Sequence, residues 1–60
     1  MNQEQVYQEL LSCLEKGNEF GKCGETNLAI DHYVKGLQLS RELNDQVRVK
    51  QFTNLILTII

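Results

Sequence analysis

Residues 13–37 read CLEKGNEFGKCGETNLAIDHYVKGL, and the fold turns on how this stretch divides. Leu14, Gly17 and Phe20 continue a series that begins at Val6 and passes through Leu10 and Cys13. Its steps of three and four residues are the period of one helix face. Gly21-Lys22-Cys23-Gly24 interrupts the series, and Gly24 suits the left-handed residue that closes a helix. Beyond the break, Glu25 and Thr26 favour a helix start, and Leu28, Ala29, Ile30, Tyr33, Val34, Gly36 and Leu37 resume a helical pattern. The stretch therefore predicts two helices joined by a short glycine-bearing turn.

Working outward, Asn2 is a good N-cap with Gln5 three residues later as a capping-box partner, so the first helix is expected over 3–21. Tyr7 and Leu11 widen its stripe. The second is expected over 26–43, carrying on through Leu39 and Leu43. Its apolar face is broader than one neighbouring helix needs, which implies contact on two sides. Asn44-Asp45 breaks it, and Asp45 can cap a third segment over 46–60 with Val47, Val49, Phe52, Leu55, Ile56, Ile59 and Ile60 as its apolar positions. From Phe52 onward the spacing is helical. Leu55 to Ile60 is rich in β-branched residues, so a strand competes there, but no other strand is present for it to pair with. Leu57 falls off the main stripe and needs a cover from elsewhere. The expected fold is all-α: an antiparallel helix hairpin plus a third apolar helix, one domain over 1–60.

A chain of 60 residues buries only about 60% of the surface its unfolded form exposes. Single cores of this size supply about 3–5 kcal/mol, and natural solutions add a disulfide, a metal or a partner chain. The composition is that of a globular protein, 42% hydrophobic and 23% charged. With no proline, nothing in it forbids helix. Six basic and eight acidic residues are interspersed for a net charge of −2, leaving no basic stripe for nucleic acid. Cys13 and Cys23 stand ten residues apart, about 15 Å on a continuous helix and too far to bridge. They are expected as small, reduced core residues in a cytoplasmic setting. The longest apolar run, Leu55-Ile56-Leu57 with Ile59-Ile60 after Thr58, is far short of the roughly 20 residues that span a bilayer.

Catalysis has little to stand on. His32 is the only histidine, and its neighbour Asp31 points about 100° away on a helix. Ser12 and Ser40 have no base beside them, and Gly21-Lys22-Cys23-Gly24 lacks the spacing of a phosphate loop. No enzyme activity, cofactor or metal is expected.

The segment Cys13 to Leu43 resembles one tetratricopeptide repeat, a helix–turn–helix of 34-residue period. Gly17 matches the small residue midway along the family's first helix, Phe20 the aromatic that fills the space above it, and Gly24 the glycine ending that helix. Ala29, Tyr33, Gly36 and Leu37 match the second helix's small–aromatic–small–Leu pattern. Two helices approach closely only where a small side chain meets a large one. Ser40-Arg41-Glu42-Leu43-Asn44-Asp45 is similar to the longer-period class found in kinesin light chains, spindle adaptor scaffolds and bacterial peptide-sensing regulators. The chain departs from the pattern at Cys13, Lys16 and Thr26. It also lacks the glycine due near Ile56-Leu57-Thr58, which implies that the third helix caps the unit instead of opening a second repeat.

The resemblance implies a non-catalytic protein–protein module, an adaptor or regulator. Asn18 would hydrogen-bond a peptide backbone, with Leu11, Leu14 and Lys22 on the same face. Leu14 stands where a clamp for a terminal carboxylate would need Lys, so that subtype does not fit. Phe52, Leu55, Ile56, Leu57, Ile59 and Ile60 form the second candidate surface, through which the chain would self-associate as a homodimer or larger oligomer, or take a partner helix. Two alternatives stand beside this: a three-helix bundle of the microtubule-interacting-and-trafficking type, and a small membrane-surface protein using Leu55 to Ile60 as an anchor. Few basic residues flank that segment, which weakens the membrane reading.

Overall fold

The computed structural model describes residues 2–60 as three helices: α1 (Gln3–Lys22), α2 (Thr26–Glu42) and α3 (Gln46–Ile59). No strand occurs among the described residues, and the Leu55–Ile59 stretch continues α3. The sequence-based boundaries and the observed ones differ by no more than one residue at each end.

Local chemistry explains the start of α1, both turns and the start of α3, whereas α2 begins after Glu25 with no side-chain capping bond. The Asn2 side chain accepts from the Gln5 amide at 2.8 Å and starts α1, satisfying one of the donors a helix N-terminus leaves free. At the other end, Glu25 N–H donates to the Phe20 carbonyl at 2.9 Å and Gly24 N–H to that of Gly21 at 3.2 Å. With Gly24 at φ +80°, this is a Schellman closure. The end of α2 repeats it. Asp45 N–H donates to the Ser40 carbonyl at 3.0 Å and Asn44 N–H to that of Arg41 at 3.1 Å, with Asn44 itself at φ 56°. Asparagine is the side chain that tolerates this conformation best after glycine. Asp45 then turns from terminator to initiator, accepting from the Arg48 amide at 3.1 Å.

The helix α2 lies between the other two. Val6, Leu10 and Cys13 of α1, Ala29, Tyr33 and Leu39 of α2, and Phe52 of α3 form the buried core. Two close approaches set the spacing. A Cβ built on Gly17 would collide with the Tyr33 ring, and one on Gly36 would lie 2.5 Å from two Phe52 ring carbons. Ser40, fully buried, turns its hydroxyl onto the Gly36 carbonyl at 2.8 Å, so its polar atom costs little. At one end, α3 touches α1 through Arg48, whose guanidinium donates to the Tyr7 hydroxyl at 3.2 Å and lies 5.9 Å from that ring's centre.

Three expectations need correction. The space over Gly17 is filled by Tyr33 from the opposite helix and not by Phe20. Phe20 instead stacks on His32, with centroids 5.3 Å apart and planes 9° from parallel. Phe20, three residues on and on the same side of α1, meets α2 one residue earlier, at His32, so Tyr33 takes the space over Gly17. Cys23 is exposed, unlike buried Cys13, because it caps the end of α1 beyond the reach of α2. Phe52, expected on an outer surface, has no exposure at all.

These glycines predict opposite signs for one substitution. Gly36→Ala gains helix propensity but drives a methyl into a ring with no free volume, and should cost about 1–2 kcal/mol net. In Gly21→Ala the nearest atom is Ile59 Cδ1 at 3.7 Å, and stability should rise by up to about 0.5 kcal/mol. Urea denaturation of the two variants against the parent checks both signs.

Candidate functional site

Tyr33 links the core to the surface. Its ring sits on Gly17 and tilts 56° against Phe52, centroids 6.3 Å apart. Its hydroxyl leaves the core at the seam between α1 and α3 and donates to Asn18 Oδ1 at 2.6 Å. Above this bond lies an open groove of about 440 Å³, lined by Asn18, Gly21 and Lys22 of α1, Tyr33 of α2, and Leu55, Thr58 and Ile59 of α3. One wall is polar and bears a cation; the other is aliphatic. Burial raises the Tyr33 hydroxyl above its ordinary pKa, which keeps it a donor through the neutral range.

The groove joins residues that the sequence had assigned to two separate surfaces. Asn18 and Lys22 come together with Leu55 and Ile59. Leu11 and Leu14 do not line it; both are half-buried against the core. Tyr33, expected only as a packing residue, is its floor. A helical repeat alone cannot reveal this, because the position of the hydroxyl depends on how closely α1 and α2 approach.

The outer side of α3 is the second surface. Leu57 is 68% exposed, Ile60 82%, and Val47, absent from the expected contacts, 76%. Beside them Gln46, Val47, Val49, Lys50, Thr53 and Asn54 border a shallow hollow of about 600 Å³. Ile56 is half-buried against the core. Phe52 contributes nothing here: its ring is the core contact of α3.

A third, smaller cleft of about 240 Å³ lies between α1 and α2, bordered by Glu9, Ser12, Cys13, Lys16, His32 and Lys35. Burial raises the Cys13 thiol, the nearby Glu9 carboxylate adds to this, and Lys35 and Lys16 oppose it. A thiol held protonated is the reverse of an activated nucleophile. No group of three His, Cys, Asp or Glu side chains suited to a metal occurs among the described residues. None of their helices is long and apolar enough to cross a membrane.

Comparison with known protein families, with curated protein sequences and with solved structures finds no match for this chain.

The two buried protons make alkaline stability a test of the packing. Cys13 and Tyr33 hold their protons more tightly when folded. Stability should therefore be flat at neutral pH and fall as the unfolded chain loses first the Cys13 proton near about pH 8.5, then that of Tyr33 near about pH 10. Tyr33→Phe should cost about 1 kcal/mol at pH 7 and remove the upper part of the fall. Urea titrations across this range read both effects.

Thiol labelling gives an independent check. Cys23 should react at once with an aromatic disulfide reagent at neutral pH, and Cys13 at least about a hundredfold more slowly, since it must wait for the fold to open.

Proposed function

We propose that this chain is a non-catalytic protein–protein interaction module, similar to a single tetratricopeptide unit with a capping third helix, that works by covering the outer side of α3 with another polypeptide. The observation that carries the reading is the exposure of Val47 and Leu57 on the outer side of α3, with Ile60 exposed at its C-cap. Its inner side is already occupied by Phe52, fully buried against α2. Nothing else among the described residues covers those side chains, and burying each would gain about 1.5–3 kcal/mol, comparable with the whole core of a domain this small. The cover is a second copy of the chain or a partner helix. Enzymatic chemistry finds no support in the clefts, where the one buried thiol is held protonated. A cytoplasmic setting, with both cysteines free, fits the same reading.

The groove above Tyr33 favours a second, compatible reading as a short-peptide site. Asn18 spends its carbonyl oxygen on Tyr33 but keeps two amide donors for a peptide carbonyl. Lys22 adds a cation at the rim.

Light scattering on a sizing column, over about a hundredfold range of concentration, reads self-association through mass action. Titration with a labelled amphipathic helical peptide reads partner binding. Leu57→Glu and Ile60→Glu should each abolish the association the parent shows, while far-UV circular dichroism stays helical. A parent that neither self-associates nor binds the peptide, or variants that behave like it, would overturn the proposal.

A further inference from the structure

The charge of this chain is divided along its length. Through Glu25, five glutamates face two lysines; residues 26–45 hold three acidic and two basic side chains; residues 46–60 hold Arg48 and Lys50 and no carboxylate side chain. In a chain of net charge −2, the helix with the largest exposed apolar side chains is therefore the only one with a purely positive set of side chains. Arg48 is engaged inward, with Tyr7 and with Gln51 at 2.6 Å, while Lys50 is exposed and borders the hollow on the outer side of α3.

We propose that this outer side seats one amphipathic helix of a partner protein whose apolar stripe is edged by carboxylates. The proposal rests on the interaction-module reading and narrows its occupant. Val47, Lys50, Asn54 and Leu57 follow one another at three, four and three residues, a ridge along one helix face. From Val47 to Ile60 the face is about 20 Å long, enough for three to four turns of a partner helix. An apolar stripe would cover Val47 and Leu57, and a carboxylate beside it would meet the Lys50 ammonium.

Other occupants fit less well. A second copy related by a two-fold axis matches the apolar side chains but brings a second Lys50 ammonium to the interface and no carboxylate side chain from α3. A copy in head-to-tail contact would offer exposed Glu4, Glu15 and Glu19 from α1, but between them stand Gln8 and half-buried Leu11, which supply little apolar surface. An anionic lipid surface gains about 1 kcal/mol per basic side chain, and only Lys50 is free of the inward contacts that hold Arg48.

Two synthetic helical peptides with the same leucine stripe, one edged by glutamate and one by lysine, test the idea by fluorescence anisotropy with the whole chain. The glutamate-edged peptide should bind at least about tenfold more tightly at low salt, with the preference shrinking as salt is added. Lys50→Glu should abolish or reverse the preference, and Leu57→Asp should remove binding of both peptides without loss of helix. Equal affinity for the two peptides, or a preference untouched by Lys50→Glu, would sink the proposal. A dimer dispersed by Leu57→Asp would name a second copy as the occupant, and binding to phosphatidylserine vesicles alone would name a lipid surface. Either overturns this inference, and the first leaves the interaction-module reading standing. Absence of any association removes both.

Discussion

The Phe52 ring lies against the bare backbone of Gly36, fully out of solvent, and this contact fixes where α3 can sit. A helix presenting a side chain at position 36 would hold α3 further off, and the Phe52 ring would lose its seat. The same ring touches Tyr33, which is seated in turn on Gly17. Glycine, tyrosine, phenylalanine and glycine thus alternate through all three helices. Each large ring finds space only because the opposing residue has none of its own to fill. In a core that stabilises the fold by only about 3–5 kcal/mol, these two approaches carry a disproportionate share, since loosely packed rings forfeit dispersion contacts as well as buried area.

The same constraint places the chemistry. Because Gly17 lets Tyr33 come close, the phenol hydroxyl emerges within reach of Asn18. Because Gly36 lets Phe52 come close, Leu55 and Ile59 form the opposite wall of the groove. The groove is thus a by-product of two small residues on facing helices. Both turns preserve it: each is closed by a backbone Schellman pair around a left-handed residue, Gly24 in one and Asn44 in the other, which fixes how the chain reverses.

Helix number and helix ends were legible in the sequence because their causes are local. Asn2, Gly24 and Asp45 act on backbone groups within a turn of themselves. The partners of Gly17 and Phe20 were not legible. That Gly17 would meet Tyr33 while Phe20 stacked on His32 depends on the crossing of α1 and α2, which periodicity does not encode. Phe52 was misplaced for a related reason. On a helix rich in apolar residues the pattern shows that a stripe exists, but the glycine opposite decides which member of it is central. The tetratricopeptide resemblance rests on spacing alone. The small-against-large contacts at Gly17 and Gly36 are what any closely packed helix pair requires.

The two surfaces of α3 are mechanically connected. Leu55 and Ile59 line the groove on one side of the helix, and Val47 and Leu57 stand exposed on the other. Both surfaces belong to one helix seated by the Phe52–Gly36 contact, so its placement sets the groove wall and the outer face together. The Asn18–Tyr33 bond sets the hydrogen-bonding character of the groove floor. Asn18 Oδ1 accepts from the Tyr33 hydroxyl and has one lone pair left, while both Asn18 amide hydrogens remain to donate. A ligand offering a carbonyl to the Asn18 amide donors leaves the bond intact. The character of the groove therefore comes from the core: a phenol committed to Asn18 leaves two amide donors and one acceptor site above it, and a helix seated by the Phe52–Gly36 contact sets its width.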